Sequence, residues 1–279
     1  MLSPGNYFEY LNIRFFKQVR VKVQGKSWVF TRTACLGNDV FDYLFDGRIT
    51  RLNLQKGRLD FLIDTLGHKK LKSPSVKVVK LFDRRDVVGM VWAQLSSYWA
   101  SLKPPSFILM DSFSDLTDRE YIFRKGGARF ACHSKDLKNL TQIDEYVHRS
   151  ELLPIKSFEA NYSILFKKFY DTWGDIPIIF IHFPSLFEVR KLYQDRAREI
   201  RKAIENISMV NPNVYSITAP ESVVFRAEES DLSLIGFPYH FRDDTKRFFS
   251  DKVAEILSTK KALSHYNFVG LGVRDISKK

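Results

Sequence analysis

A chain of 279 residues with 44% hydrophobic side chains is long enough to bury one large α/β core or two small ones, and its composition excludes general disorder. Two cysteines, Cys35 and Cys132, give neither a disulfide framework nor a CxxC pair, which argues against structural zinc and for a reducing cytoplasm; with no signal-like start and no apolar run of about 18 residues, no transmembrane segment is expected, and only peripheral membrane association stays open. The net charge of +12 points to anionic partners, a glycan or a small phosphorylated molecule, but Lys and Arg are scattered and no RNA-binding aromatic signature accompanies them, so a specific nucleic-acid partner is not expected.

In chain order, an aromatic, basic lead-in over residues 1–26 ends in KQVRVKVQG, where Val19, Val21 and Val23 alternate with Arg20 and Lys22 as in an edge strand. Trp28, Val29 and Phe30 then start a buried strand that gives way to small and turn-forming residues, Thr33, Ala34, Gly37 and Asn38. Asp39 stands where a helix N-cap or first turn would begin, ahead of Val40, Phe41 and Leu44. A loose helix is read near 57–66, a short strand at Val76–Val79, and a longer helix from Asp83 carrying Val87, Val91, Trp92, Leu95 and Trp99.

Phe107–Met110 is a continuous apolar run closed by Asp111, the pattern of a central parallel strand, followed by a polar cluster that includes Asp115, Asp118, Arg119 and Glu120. Residues 124–160 read as an insertion or lid. A helix from Tyr162 toward Trp173 precedes a second continuous strand, PIIFIH, with His182 and Ser185 at its polar end. Glu188–Ile207 is a helix whose apolar stripe includes Val189, Leu192, Tyr193, Ile200 and Ile204; Val214–Ile217 is a strand, and GFPYHF leads into a last helix, Asp244–Leu257. Strands alternating with helices indicate a three-layer α/β/α sandwich with a mainly parallel sheet, read as a single domain over 27–279.

The carboxyl ends of parallel strands are where such sheets bind ligands, which directs attention to Cys35 and to the late His240. A thiol at a helix N-terminus meets N–H groups and a positive dipole end, both favouring thiolate, and an imidazole can move its proton in acyl transfer. The six histidines show no metal-ligand spacing, so no metal is expected, and no phosphate-cradling glycine loop is present.

These blocks resemble the SGNH/GDSL-like hydrolase superfamily, and more closely a bacterial branch associated with capsule and exopolysaccharide genes, whose first block reads roughly G-S-C-V-x-R-D-x-F. Here that block is Thr33, Ala34, Cys35, Leu36, Gly37, Asn38, Asp39, Val40, Phe41. The middle block resembles Asp111 through Glu120, and the last, G-x-x-P-F-H-Y, resembles Gly236 to Phe241. Thr33, Ala34 and Asn38 replace Gly, Ser and Arg of the pattern, and Phe237 stands where the superfamily's Asp precedes its catalytic His.

The resemblance implies a carbohydrate O-acetyltransferase of surface-polysaccharide biosynthesis, with no permanently bound cofactor and acetyl-coenzyme A as acyl donor. Cys35 would be the nucleophile and His240 the acid and base; Asp39, Asp243 or Asp231 would orient the imidazole, and Arg51 or Asn53, with backbone N–H groups, would hold the oxyanion. Asp111, Asp115, Arg119, His182 and Ser185 are the remaining substrate-side candidates. A carbohydrate esterase and a non-catalytic glycan- or partner-binding module are the alternatives, the second favoured by Ala34, Asn38 and Phe237.

Overall fold

The computed structural model describes residues 27–45, 49–67, 71, 81–82, 85–138, 140–228 and 238–259. The expected N-terminal edge strand, the strand at Val76–Val79, and Asp231, Gly236 and Phe237 lie outside the described residues. The described elements run, in chain order, β1 (Trp28–Arg32), α1 (Cys35–Phe45), β2 (Thr50–Asn53), α2 (Leu59–Leu66), α3 (Arg85–Ala93), β3 (Ile108–Asp111), α4 (Phe113–Thr117), β4 (Arg119–Phe123) and β5 (Arg129–Cys132). They continue with α5 (Leu140–Tyr146), β6 (Val147–Leu152), α6 (Phe158–Trp173), β7 (Ile178–Ile181), α7 (Lys191–Val210), β8 (Val214–Ile217) and α8 (Asp243–Thr259).

Where the sequence reads as one domain, the structure divides into two compact units. The first takes Ser27–Asn53, Pro105–Ser112 and the described part of Ile176–Lys279, and the second takes the intervening segments, the described parts of Leu54–Pro104 and Phe113–Asp175.

The first unit is built on a five-stranded, all-parallel sheet of order β2-β1-β3-β7-β8. Its registers set Phe30 beside Ile108, Met110 beside Phe180 and Ile181 beside Ile217. Every residue of β1, β3 and β7 is buried, which is why β3 and β7 are apolar without alternation up to the polar residues at their ends, and why β1 buries Thr31 and Arg32 beside Trp28, Val29 and Phe30. The crossover from β1 through α1 steps one way along the sheet, and that from β7 through α7 steps the other. Right-handed crossovers in opposite directions put α1 and α7 on opposite faces, giving the three-layer α/β/α sandwich. Helix α8 packs on α1, where the Ser250 hydroxyl donates to the Val40 carbonyl at 3.4 Å.

Helix α7 buries Ile200, Ala203, Ile204 and Ile207 along one face. The stripe read from the sequence is correct at that end and wrong at the other, because the helix begins at Lys191, leaving Val189 before it and 89% exposed, with Leu192 48% exposed.

The second unit contains a three-stranded antiparallel sheet, β5-β4-β6. Tyr121, Phe130, Cys132 and Val147 of that sheet pack with Val87, Val91 and Trp92 of α3 in one apolar core. The stretch 124–160, read from the sequence as a lid or insertion, therefore supplies β5, α5 and β6 to a unit with a core of its own. Asp115 is part of that framework: it accepts the Leu59 N–H at 3.0 Å, at the start of α2, and the Tyr162 hydroxyl. Lys56 is buried between two carboxylates, 2.7 Å from Asp136 and 3.6 Å from Asp118.

Candidate functional site

In the order β2-β1-β3-β7-β8 the chain reverses its direction of travel between β1 and β3. A crevice opens outside the carboxyl ends of strands at such a switch point, so Thr33 to Cys35 after β1 and Asp111 at the end of β3 occupy the position where parallel sheets bind ligands. Helix α1 starts at Cys35, four residues before Asp39, where the sequence suggests it. The reason is a distant cap: the Ala34 N–H donates to Asp111 Oδ2 at 2.7 Å, so a carboxylate from β3 satisfies the N-cap donor that a capping-box Glu or Gln at position 37 would otherwise serve, where this chain has Gly.

Gly37 follows from the same closeness, since a Cβ there would lie 2.5 Å from Thr33 Cγ2 and 2.9 Å from Asp111 Oδ2. Asn38 Oδ1 collects the Thr33 hydroxyl at 2.9 Å, the Asn53 amide at 2.9 Å and Arg51 at 3.4 Å. Asn53 also bonds both the N–H and the carbonyl of Thr33, at 3.1 and 3.0 Å. Arg51 lies over the Phe41 ring, 5.0 Å from its centroid, and 3.4 Å from Asp42. Arg51 and Asn53, expected as oxyanion donors, are thus employed in fastening the start of α1 to β2.

Beside this turn is a cavity of about 320 Å³ lined by Cys35, Leu36, Asp39, Tyr239, His240 and Lys246, among others. It brings together the two residues singled out at opposite ends of the chain. The Cys35 thiol donates to the Tyr239 carbonyl at 3.7 Å. Burial, then the Asp111 and Asp39 carboxylates, push this thiol up to about 12, while the backbone N–H groups of Leu36 and Cys35 act in the opposite direction and lose. The preformed thiolate expected from the helix N-terminus is therefore overruled: Cys35 is a neutral thiol near pH 7. Asp39 faces Lys246 at 3.1 Å, and Lys246 also reaches Asp243 at 3.3 Å.

The segment carrying His240 is anchored by its neighbour. The hydroxyl of buried Tyr239 donates to Glu188, which also receives two bonds from the Arg190 guanidinium, at 2.7 and 2.6 Å. Burial alone would raise the Glu188 carboxyl, but the hydrogen bonds from Arg190 and Tyr239 outweigh it and hold the group below its usual range. The backbone on either side of His240 is also bridged, with the His240 carbonyl accepting from Ala227 N–H at 3.0 Å and the Arg242 N–H donating to Phe225 at 2.9 Å.

The other expected residues are distributed more widely. Asp243 is the exposed first residue of α8, engaged with Lys246 and hydrogen-bonded to Tyr43, and it does not line the cavity. Asp39, which does, is the one described carboxylate there of those proposed to orient His240. Asp111 acts from behind, through Ala34. Asp115 is the internal cap of α2, and Arg119 is a residue of β4 paired with Cys132 and Leu152; both belong to the second unit and neither lines this cavity. The polar cluster after β3, contiguous in sequence, is thus divided between the units after Ser112.

His182 and Ser185 line a different cavity, of about 370 Å³, at the carboxyl ends of β7 and β8. Lys246 is the site residue that sequence reasoning missed. Its signal was its place one helical turn after Asp243, which puts both on the first turns of α8 beside the block carrying His240.

Among the described residues no helix is long and apolar enough to cross a membrane, and no cluster of three or more His, Cys, Asp or Glu side chains could hold a metal ion. No protein-family model matches the chain, and no curated protein matches it either.

Proposed function

We propose that the chain is an acyl-group enzyme acting through Cys35 and His240. The observation that carries this reading is their meeting in one cavity at the switch point of the parallel sheet. In the first step the Cys35 sulfur attacks the carbonyl carbon of a thioester donor as His240 takes the thiol proton, and His240 returns that proton to the departing donor thiol. In the second step an acceptor hydroxyl gives its proton to His240 while its oxygen takes the acyl group, and the proton passes back to Cys35. Backbone N–H groups of the first α1 turn, at Cys35 and Leu36, are the donors best placed to steady the developing oxyanion, because Arg51 and Asn53 are engaged with Asn38. A neutral thiol makes concerted proton removal by His240 a requirement of this scheme.

The resemblance to the SGNH/GDSL-like branch supplies the finer reading: a sugar hydroxyl of a bacterial surface polysaccharide as acceptor, acetyl-coenzyme A as donor, and action in the cytoplasm. Lys246 gives the cavity a cation suited to an anionic substrate. One observation favours a second reading, a non-catalytic glycan-binding module: two carboxylates oppose ionisation of the proposed nucleophile.

Incubating the native protein with acetyl-coenzyme A and reading Cys35 by intact and peptide mass spectrometry separates the two. Acetylation of Cys35 that falls at least tenfold in His240→Ala supports acyl transfer. Absence of acetyl-Cys35, together with labelling by a mild thiol electrophile that is slow and unchanged in His240→Ala, would move the assignment to the binding module.

A further inference from the structure

The second cavity of the sheet unit has the composition of an oxyanion site, and nothing in the acyl-transfer scheme uses it. It lies outside the carboxyl ends of β7 and β8, and its wall combines Arg198, Arg201, Gln194 and His182 with the apolar Phe183 and Val224. At about 370 Å³ it is within the size range of small-ligand pockets.

His182 is the informative residue. It is 5% exposed, its Nε2 is 2.9 Å from the Ser216 hydroxyl, and its Nδ1 has no hydrogen-bond partner among the described residues. That nitrogen has almost no accessible surface, so a ligand oxygen reaches it only if the ring shifts toward the cavity on binding, and the contact then removes the cost of leaving it unpaired. Burial, then the Arg201 cation, hold the imidazole down at about 3, so the cavity wall carries it as a neutral ring. If Ser216 donates to Nε2, the proton resides on Nδ1, which is then a donor.

The two arginines differ in their freedom. Arg198 is shared between Asp195 at 2.9 Å and Glu199 at 3.4 Å. Arg201 has no carboxylate partner among the described residues, although it stands on the same helix face one turn later. Glu221 also lines the cavity and is exposed at its rim, so the positive charge is concentrated on the α7 side.

We propose that this cavity binds the oxyanion head group, phosphate or carboxylate, of a small ligand, with Arg201 and the Nδ1–H of His182 as principal donors and the apolar wall at Phe183 and Val224 taking the ligand's hydrocarbon part. A guanidinium fork matches the geometry of either oxyanion, and the neutral ring adds a directed hydrogen bond without a second charge to desolvate. The site is independent of Cys35 and His240.

Titration of the full chain with hexyl phosphate, hexanoate and hexanol, followed by calorimetry and by the ¹⁵N imidazole resonances, tests the assignment. Saturable binding of hexyl phosphate or of hexanoate is expected, whichever is tighter naming the head group, with hexanol at least tenfold weaker and the His182 Nδ1 resonance moving as the site fills. Arg201→Gln, at an exposed position that does not threaten folding, should weaken the anion at least tenfold, while Lys202→Gln leaves it within twofold. Hexanol binding as tightly as either anion, equal affinity in Arg201→Gln, an unmoved Nδ1 resonance, or no saturable binding would each overturn the proposal. Cys35→Ala retains the binding if the site is independent, so failure of the acyl-transfer reading and failure of this one are read separately.

Discussion

Replacing Asp111 by Asn changes stability and reactivity in opposite directions, and so tests the architecture of the switch point. The carboxylate accepts the Ala34 N–H at 2.7 Å, at the start of α1, and is also the leading charged neighbour raising the Cys35 thiol. Asn keeps an acceptor oxygen and removes the charge. The difference between a charge-assisted and a neutral hydrogen bond, together with the lost attraction to the helix dipole, amounts to about 1–2 kcal/mol of destabilisation. At the thiol, losing that like charge lowers the Cys35 pKa, and for each tenfold gain in thiolate this brings at a pH below the pKa, lower intrinsic nucleophilicity takes back about threefold, leaving alkylation about threefold faster per tenfold gain. Urea unfolding with an unchanged m-value reads the first effect. Iodoacetamide labelling at pH 8, with Cys35 followed by mass spectrometry and the fully buried Cys132 as an internal reference, reads the second. A variant as stable as the wild type whose Cys35 labels no faster would refute both the cap and the electrostatic account of the thiol.

Two further substitutions address the frame of each unit. Burial raises the Asp118 carboxyl to about 6 despite Lys56 at 3.6 Å, so its folded pKa lies above the usual unfolded value; its contribution to stability is fully present below about pH 4 and is lost as pH rises through about 6. Asp118→Asn should flatten that part of the stability–pH curve, and an unchanged slope between pH 4 and 6 would show that Asp118 does not titrate there. Gly37→Ala puts a methyl group 2.5 Å from Thr33 Cγ2 and should cost about 1–3 kcal/mol in denaturant unfolding, so a variant of wild-type stability would contradict the close approach.

What was legible in the sequence tracks what is decided locally. The continuous apolar runs at β3 and β7 announce doubly covered strands, because burial on both faces leaves no alternation, and β1 shares that burial although its second half is Thr31 and Arg32. The start of α1 was not legible, because its cap is Asp111, far away in sequence, and no local Ser, Thr or Asp marks Cys35 as the first helical residue. Strand β2 was missed for a similar reason: of Thr50 to Asn53 only Leu52 is buried, and its polar neighbours fix a turn rather than advertise a strand. The division into units was hidden because each unit takes more than one segment of chain and no linker-like composition marks the crossings. Asp115 reads as a site residue and is an internal cap, since a carboxylate after a strand end looks the same in sequence whether it meets a ligand or the N–H of Leu59.

The departures from the resembled pattern acquire a physical meaning at Asn38. An arginine at this position, as in the first block of that branch, has donors only and could accept none of the three hydrogen bonds that Asn38 Oδ1 receives. With Asn at 38, the cation comes instead from Arg51 on β2, held between Asn38, Asp42 and the Phe41 ring and withdrawn from substrate duty. Among the described residues lining the cavity the cation is Lys246, already paired with Asp39. In the proposed acyl transfer, transition-state charge at Cys35 would then be met by backbone N–H groups, which side-chain substitution cannot remove, and by the proton that His240 would carry. Asn at position 38, where the resembled pattern has Arg, would therefore leave the electrostatic work of the proposed reaction to the first turn of α1, and make that reaction depend more steeply on the integrity of the turn, hence on Asp111 and Gly37, than on any single cation.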